Sequence, residues 1–121
     1  MIRTYGLTHI ALAVRDLERS LRFYESVFGV TVAYRDTKSV QLQTPGSHDV
    51  IVLEEGRVGV GQMKGVSHFG FRLVDPKDID AAVEAVRQAG GTIVDRGEFA
   101  PGEPYLFAKD PDGYTIEVWF E

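Results

Sequence analysis

The sequence predicts an α+β fold of two βαβββ modules with curved mixed sheets, and three observations carry that prediction. A histidine-bearing strand pattern, Thr8-His9-Ile10, recurs as Ser67-His68-Phe69; an amphipathic helix pattern follows each copy; and three short strand-like runs follow each helix. The best register sets His9 against His68, 59 positions on, and Gly29 against Gly90, 61 positions on. An internal repeat constrains architecture more than any single motif does.

The first strand is expected over Leu7 to Val14, where His9, Ala11 and Ala13 share one face and Ile10, Leu12 and Val14 the other. His9 therefore points away from the bulky face. Asp16 is suited to cap a helix whose apolar stripe is Leu17, Leu21, Tyr24 and Phe28, with Gly29 as the terminating residue. Strands are then expected at Val30 to Arg35, Ser39 to Gln43 and Val50 to Leu53, the last two separated by Thr44-Pro45-Gly46-Ser47. The glycine-rich stretch 56–65 breaks the periodicity and reads as a linker between modules 1–55 and 66–121 of a single domain. In the second module Ser67 to Val74 repeats the first strand. Asp75-Pro76 opens a helix with Ile79, Ala82, Val83, Val86 and Ala89 on one stripe, and Gly90-Gly91 ends it. Three strands follow, Thr92 to Arg96, Tyr105 to Lys109 and Tyr114 to Phe120, with Asp110-Pro111-Asp112-Gly113 as the turn before the last. Phe69 and Phe71 lie on the face opposite His68, and are expected as core beneath the second helix.

Composition narrows the function classes. The 121 residues carry 13 Lys and Arg against 18 Asp and Glu, a net charge of −5, with no cluster of basic residues. Nucleic acid, whose binding is dominated by phosphate neutralisation, is not the expected partner. The longest apolar runs, such as Val50-Ile51-Val52-Leu53, fall far below the ~20 residues that cross a bilayer, and the start lacks the pattern of a secretory leader. No membrane association is expected, and the cytoplasm is the expected location. Cysteine is absent, which removes disulfides and thiolate chemistry and leaves His, Asp and Glu as metal ligands.

Each module leaves one sheet face open, and a cleft lined by such faces is where a small-molecule ligand is expected. Three residues in the open-face pattern carry chemistry: His9, His68 and Glu117, the last set among apolar neighbours in Ile116-Glu117-Val118-Trp119. Singly, each has an ordinary structural reading, a histidine satisfied within the fold or a glutamate facing solvent. Together they have the composition of a two-His-one-carboxylate site, which suits Fe, Mn, Zn, Co or Ni and leaves positions open for substrate or water.

The run Thr8-His9-Ile10-Ala11-Leu12-Ala13-Val14-Arg15-Asp16-Leu17 with Phe23-Tyr24 and Phe28-Gly29, then Ser67-His68-Phe69, then Asp110-Pro111-Asp112-Gly113-Tyr114-Thr115-Ile116-Glu117, resembles the vicinal oxygen chelate superfamily. That superfamily includes glyoxalase I, methylmalonyl-CoA epimerase, fosfomycin-modifying enzymes, extradiol dioxygenases and bleomycin-resistance binding proteins. The resemblance implies one divalent metal ion held by His9, His68 and Glu117, with a vicinal-oxygen small molecule as substrate and Glu117 doubling as the proton-transfer group. It also implies a homodimer in which a site combines His9 of one subunit with His68 and Glu117 of the other. Departures narrow the chemistry. The fourth ligand of glyoxalase I and the epimerase falls on Val52, which cannot ligate, and His48 and Glu54 on the same strand face are the nearest replacements. The tyrosine of extradiol enzymes falls on Phe107, with Tyr105 as the nearest replacement, and no histidine lies between Arg96 and Pro104. Basic residues that would hold a phosphonate do not follow Glu117. The expected function is a metal-dependent enzyme of glyoxalase- or dioxygenase-like chemistry, and the alternative is a non-catalytic small-molecule or antibiotic-binding protein. On either reading Trp119, which shares a strand face with Glu117, is available to stack on an aromatic ligand.

Overall fold

The computed structural model describes all 121 residues, which form two compact units, Met1–Val60 and Gly61–Glu121. The first unit runs β1 (His9–Val14), α1 (Leu17–Phe28), β2 (Thr31–Arg35), β3 (Ser39–Gln43) and β4 (Val50–Glu55), in the sheet order β1-β4-β3-β2. β1 pairs in parallel with β4 and the remaining pairs are antiparallel. The helix between β1 and β2 carries the chain across one sheet face, the crossover that a parallel pair requires. Leu12, Val14, Leu17, Leu21, Phe23, Tyr24, Val40, Leu42, Ile51 and Leu53 meet in the core beneath α1. Each full burial of such a side chain is worth about 1.5–3 kcal/mol before entropy is subtracted.

Local chemistry sets the limits of α1. Asp16 accepts from the Arg19 N–H, and Glu55 at the end of β4 accepts from the Leu17 N–H at 3.0 Å, so two of the helix's otherwise unpaired donors are satisfied. At the other end Gly29 takes a left-handed φ of 63° and donates its N–H to the Glu25 carbonyl. The chain can then turn directly into β2.

The second unit repeats the plan with β5 (Phe69–Arg72), a 3₁₀ turn at Pro76–Asp78, α2 (Ile79–Gln88), β6 (Thr92–Glu98), β7 (Pro104–Lys109) and β8 (Thr115–Trp119), in the order β5-β8-β7-β6. Its core is Val83, Val86, Leu106, Ala108, Tyr114, Ile116 and Val118. Asp75 accepts from the Lys77 N–H as Asp16 does in the first unit, with Pro76 at the opening of the turn. Asp110, nearly fully buried, accepts from the N–H groups of Asp112 and Tyr114, both at 3.0 Å, and so braces the turn into β8.

The two sheets share further details. A register shift falls between Val32 and Tyr34 in β2 and between Ile93 and Asp95 in β6, 61 positions apart. An arginine at the same position of each strand reaches back to its helix, Arg35 to Glu18 and Arg96 to Asp80.

Several boundaries differ from the sequence expectation. β1 begins at His9 and β5 at Phe69, so His68 stands one residue outside its strand while His9 is the first residue of its own. β6 runs on to Glu98, past Gly97. Residues 56–65 hold turns and no strand or helix. Phe69 and Phe71 are half-buried rather than core, because α2 packs over β6, β7 and β8 while β5 lies at the sheet edge. Their rings instead meet each other edge-on at 6.3 Å.

Candidate functional site

Strand alternation sorts the second unit's side chains between two faces. Leu106, Ala108, Ile116 and Val118 are buried under α2, which leaves Tyr105, Phe107, Thr115, Glu117 and Trp119 on the opposite, open face. Gly70 of β5 is the register partner of Glu117, and His68 lies two positions before Gly70, on the same face. The result is a direct contact: His68 Nε2 is 3.1 Å from Glu117 Oε2. The glutamate side chain is 13% exposed and the histidine 35%, so the pair is sheltered yet reachable. The other ring nitrogen, Nδ1, is 2.9 Å from the Ser67 hydroxyl. Phe107 meets the His68 ring edge-on with centroids 5.0 Å apart. Ser67 and Phe107 thus hold the imidazole from two sides, and a histidine held through Nδ1 presents Nε2 outward, the usual arrangement of a metal-ligating imidazole. No further His, Asp or Glu joins His68 and Glu117 within the unit.

In the first unit His9 is exposed at the start of β1, in register with Val50. The registers make the two sheets directly comparable: Ala11, two residues after His9, faces Val52, and Gly70, two residues after His68, faces Glu117. Val52 therefore occupies in the first sheet the place that Glu117 occupies in the second. Of the two nearest carboxylate or imidazole replacements, Glu54 is ion-paired to Arg57 at 2.5 Å and His48 lies in an exposed loop, stacked on Tyr5 with centroids 4.9 Å apart. The open face of this sheet also holds a shallow depression of about 440 Å³ whose lining includes Tyr34, Gln41, Val52 and Glu54.

Beyond His68 the open face of the second unit is aromatic. Phe107 meets Tyr105 at 5.6 Å, and Tyr105 is stacked by Phe99 at 4.3 Å with the planes 21° apart. The Tyr105 hydroxyl donates to Asp95 Oδ2 at 3.2 Å. Removal of water from around the phenol, then the Asp95 charge and hydrogen bond, hold the Tyr105 pKa above its ordinary value. Trp119 carries the Arg72 guanidinium over its ring at 5.7 Å. Sequence reasoning singled out Tyr105, Phe107 and Trp119 but gave no part to Asp95, Gly97 or the Ser67 hydroxyl. The signal available was Gly97, which lies just past the expected strand Thr92 to Arg96 and which β6 includes, facing Tyr105 across the ladder.

A model of the Glyoxalase/Bleomycin resistance protein/Dioxygenase superfamily matches residues 6–118. The catechol-2,3-dioxygenase of Bacillus subtilis (strain 168) is 33% identical over 119 residues, which cover 93% of this chain and 41% of that protein, so the chain spans about two fifths of that relative. The lactoylglutathione lyase of Haemophilus influenzae is 30% identical over 120 residues, covering 92% of this chain and 89% of the lyase. Among solved structures, a variant of the fosfomycin resistance protein FosX from Listeria monocytogenes, complexed with Mn(II) and 1S,2S-dihydroxypropylphosphonic acid, superposes with a TM-score of 0.78 at 22% identity over 96% of this chain and 90% of that one. The repeated βαβββ architecture and the match over nearly the whole chain agree: this protein belongs to the glyoxalase/bleomycin resistance protein/dioxygenase superfamily.

Proposed function

We propose that the chain is a divalent-metal-dependent enzyme acting on a small molecule with adjacent oxygens, in which His9, His68 and Glu117 bind one ion of Fe, Mn, Zn, Co or Ni. The observation that carries this reading is the His68–Glu117 contact at 3.1 Å with Nδ1 engaged by Ser67. An imidazole nitrogen and a carboxylate oxygen facing one point, with the imidazole oriented from behind, form a donor set that fits a borderline or hard divalent cation. His9, at the matching position of the first module, is the third donor, supplied in a homodimer by the partner copy. A bound divalent ion would supply Lewis acidity toward the oxygens of a chelating substrate.

The chain's own groups do the rest. Ser67 and Phe107 fix the rotation of His68. Glu117, set between the buried Ile116 and Val118, would use its second oxygen to take or return a proton. Tyr105, Phe107 and Trp119 offer apolar surface to the remainder of the substrate.

Phe107 and Val52 favour a second reading, a non-catalytic binding protein: neither can donate a proton or ligate an ion, and the aromatic face alone suffices to hold a ligand. Metal binding separates the two. Tag-free protein stripped with chelator and re-equilibrated with Mn(II), Ni(II) or Zn(II) is expected to hold about one ion per chain by elemental analysis, as a single three-donor site requires. Glu117→Ala and His68→Ala are expected to lose that ion. Ser67→Ala, which leaves all three donors, is expected to weaken binding by about tenfold to a hundredfold. No metal in the wild-type protein, even after re-equilibration, would overturn the enzyme reading in favour of the binding protein, and undiminished metal in Glu117→Ala would overturn this donor set.

A further inference from the structure

We infer that Gly97 is a specificity-determining residue: by letting Tyr105 lie flat over β6, it keeps open a strip of the second sheet, floored by Phe107 and ended by Trp119, that takes the flat aromatic portion of a ligand. The inference deepens the proposed function and rests on it in placing this strip beside His68 and Glu117. Gly97 and Tyr105 face each other across the β6–β7 ladder. A Cβ at position 97 would stand 2.9 Å from the Tyr105 hydroxyl, closer than a Cβ atom packs, and 3.1 Å from two of its ring carbons, so the ring must shift. Gly97 does not have a left-handed φ, so its backbone does not demand glycine. What the absent side chain supplies is room.

The neighbours of the ring hold it in that room. Asp95, two residues before Gly97, receives its hydroxyl proton at 3.2 Å, and Phe99, two residues after, stacks on it at 4.3 Å. Tyr105 is thereby pinned towards β6, on the side of its own strand away from β8 and Glu117. The other flank is built the same way. Gly70, also without a left-handed φ, faces Glu117, and a Cβ there would stand 3.2 Å from the Glu117 carbonyl, 3.4 Å from its Cβ and 3.5 Å from Trp119 Cδ1. Two glycines on the strands that flank β7 and β8 thus leave the open face without side chains where they would crowd Tyr105 and Glu117. Between them lie the rings of His68, Phe107 and Tyr105, spaced 5.0 and 5.6 Å apart. That spacing is the one at which aromatic faces and edges attract, and a planar apolar ring gains most from such a floor.

A β-carbon at 97 must displace the Tyr105 ring from β6, and the expected direction is outward, over Phe107. The prediction is a loss of binding that deleting the ring relieves. The probe is 2-naphthol with metal-free full-length protein, read by quenching of Trp119, the one tryptophan. Wild type is expected to bind it. Gly97→Ala is expected to bind at least about tenfold more weakly, the scale on which one misplaced carbon discriminates. Gly97→Ala with Tyr105→Ala is expected to regain part of the lost affinity, which a folding defect at position 97 would not allow. No binding by wild type, unchanged binding by Gly97→Ala, or a double variant as weak as the single one would each overturn the inference. Loss of metal binding alone, with this pattern intact, would overturn the proposed function and leave the strip standing.

Discussion

Tyr105 shows how much a single side chain's surroundings decide. Its phenol loses water over Gly97 and faces the Asp95 carboxylate, so the neutral form is favoured and the pKa rises. An alkaline absorbance titration, with Tyr105→Phe used to assign the group among the five tyrosines, is expected to find it ionising above the ordinary phenol range. Asp95→Asn is expected to bring it down. The sign for stability follows: the folded state holds this proton more tightly than the unfolded state, so the contribution is complete below the unfolded phenol pKa. It is lost as pH rises through the higher folded value. Stability measured against pH on the alkaline side should therefore fall more in wild type than in Asp95→Asn, and an equal fall would contradict the assignment. Asp36 works in the opposite direction. The N–H groups of Lys38 and Ser39 donate to its carboxylate and lower its pKa, so its contribution is present above the ordinary carboxylate pKa and fades as pH falls through the lowered one. At this scale the sequence was partly legible. His68 and Glu117 were singled out because the repeat sets His68 against His9 and Glu117 stands among apolar neighbours, and the fold brings the two side chains into contact. Asp95 and Ser67 were not, because their contacts run across the ladder or along a loop and no period along the chain records them.

At the scale of elements, turn and cap chemistry explains where strands and helices stop. Asp110 is nearly buried and its carboxylate satisfies two backbone donors of the turn into β8. Asp110→Ala leaves those donors unpaired and is expected to cost about 1–3 kcal/mol in chemical denaturation. Because β8 carries Glu117, the same substitution is expected to weaken metal binding. The exposed Arg96–Asp80 pair is the contrasting case, and Arg96→Ala is expected to cost less than about 1 kcal/mol by the same assay. Gly29→Ala forces an alanine into a left-handed φ of 63° and is expected to cost about 1–2 kcal/mol. The caps at Asp16 and Asp75 and the terminating Gly29 were readable because they depend on local backbone geometry alone. Strand ends were less so: β1 and β5 start later than their apolar runs, since a strand extends only as far as a neighbour supplies partners, and β4 and β8 set that limit. Phe69 and Phe71 were placed in the core on alternation, which identifies a face but not whether a helix covers it.

At the scale of the whole chain, two copies of one plan have diverged in chemistry while keeping their mechanics. Strand order, the position of the register shift, the capping aspartate and the arginine that ties strand to helix are common to both modules. The open-face residues are not, since Val52 stands where the second module has Glu117. Val52→Glu is expected to give the first module a carboxylate beside His9 and to raise affinity for Mn(II) or Ni(II), with a modest loss of stability from placing a charge on a half-buried strand position. The repeat made the architecture legible, because a pattern written twice is checked against itself. Ligand identity was legible only in part, because the resemblance assigns three positions but their chemistry depends on which side chains surround them in space.

The central claim is that two imidazoles and one carboxylate hold a single ion. Pulsed electron paramagnetic resonance on protein loaded with Mn(II) counts the histidine nitrogens directly. Two coordinated imidazoles are expected in wild type, one in His9→Ala, and no bound ion in His68→Ala, as two-His-one-carboxylate binding requires. A wild-type spectrum with one imidazole or none, or a count unchanged by either substitution, would contradict it.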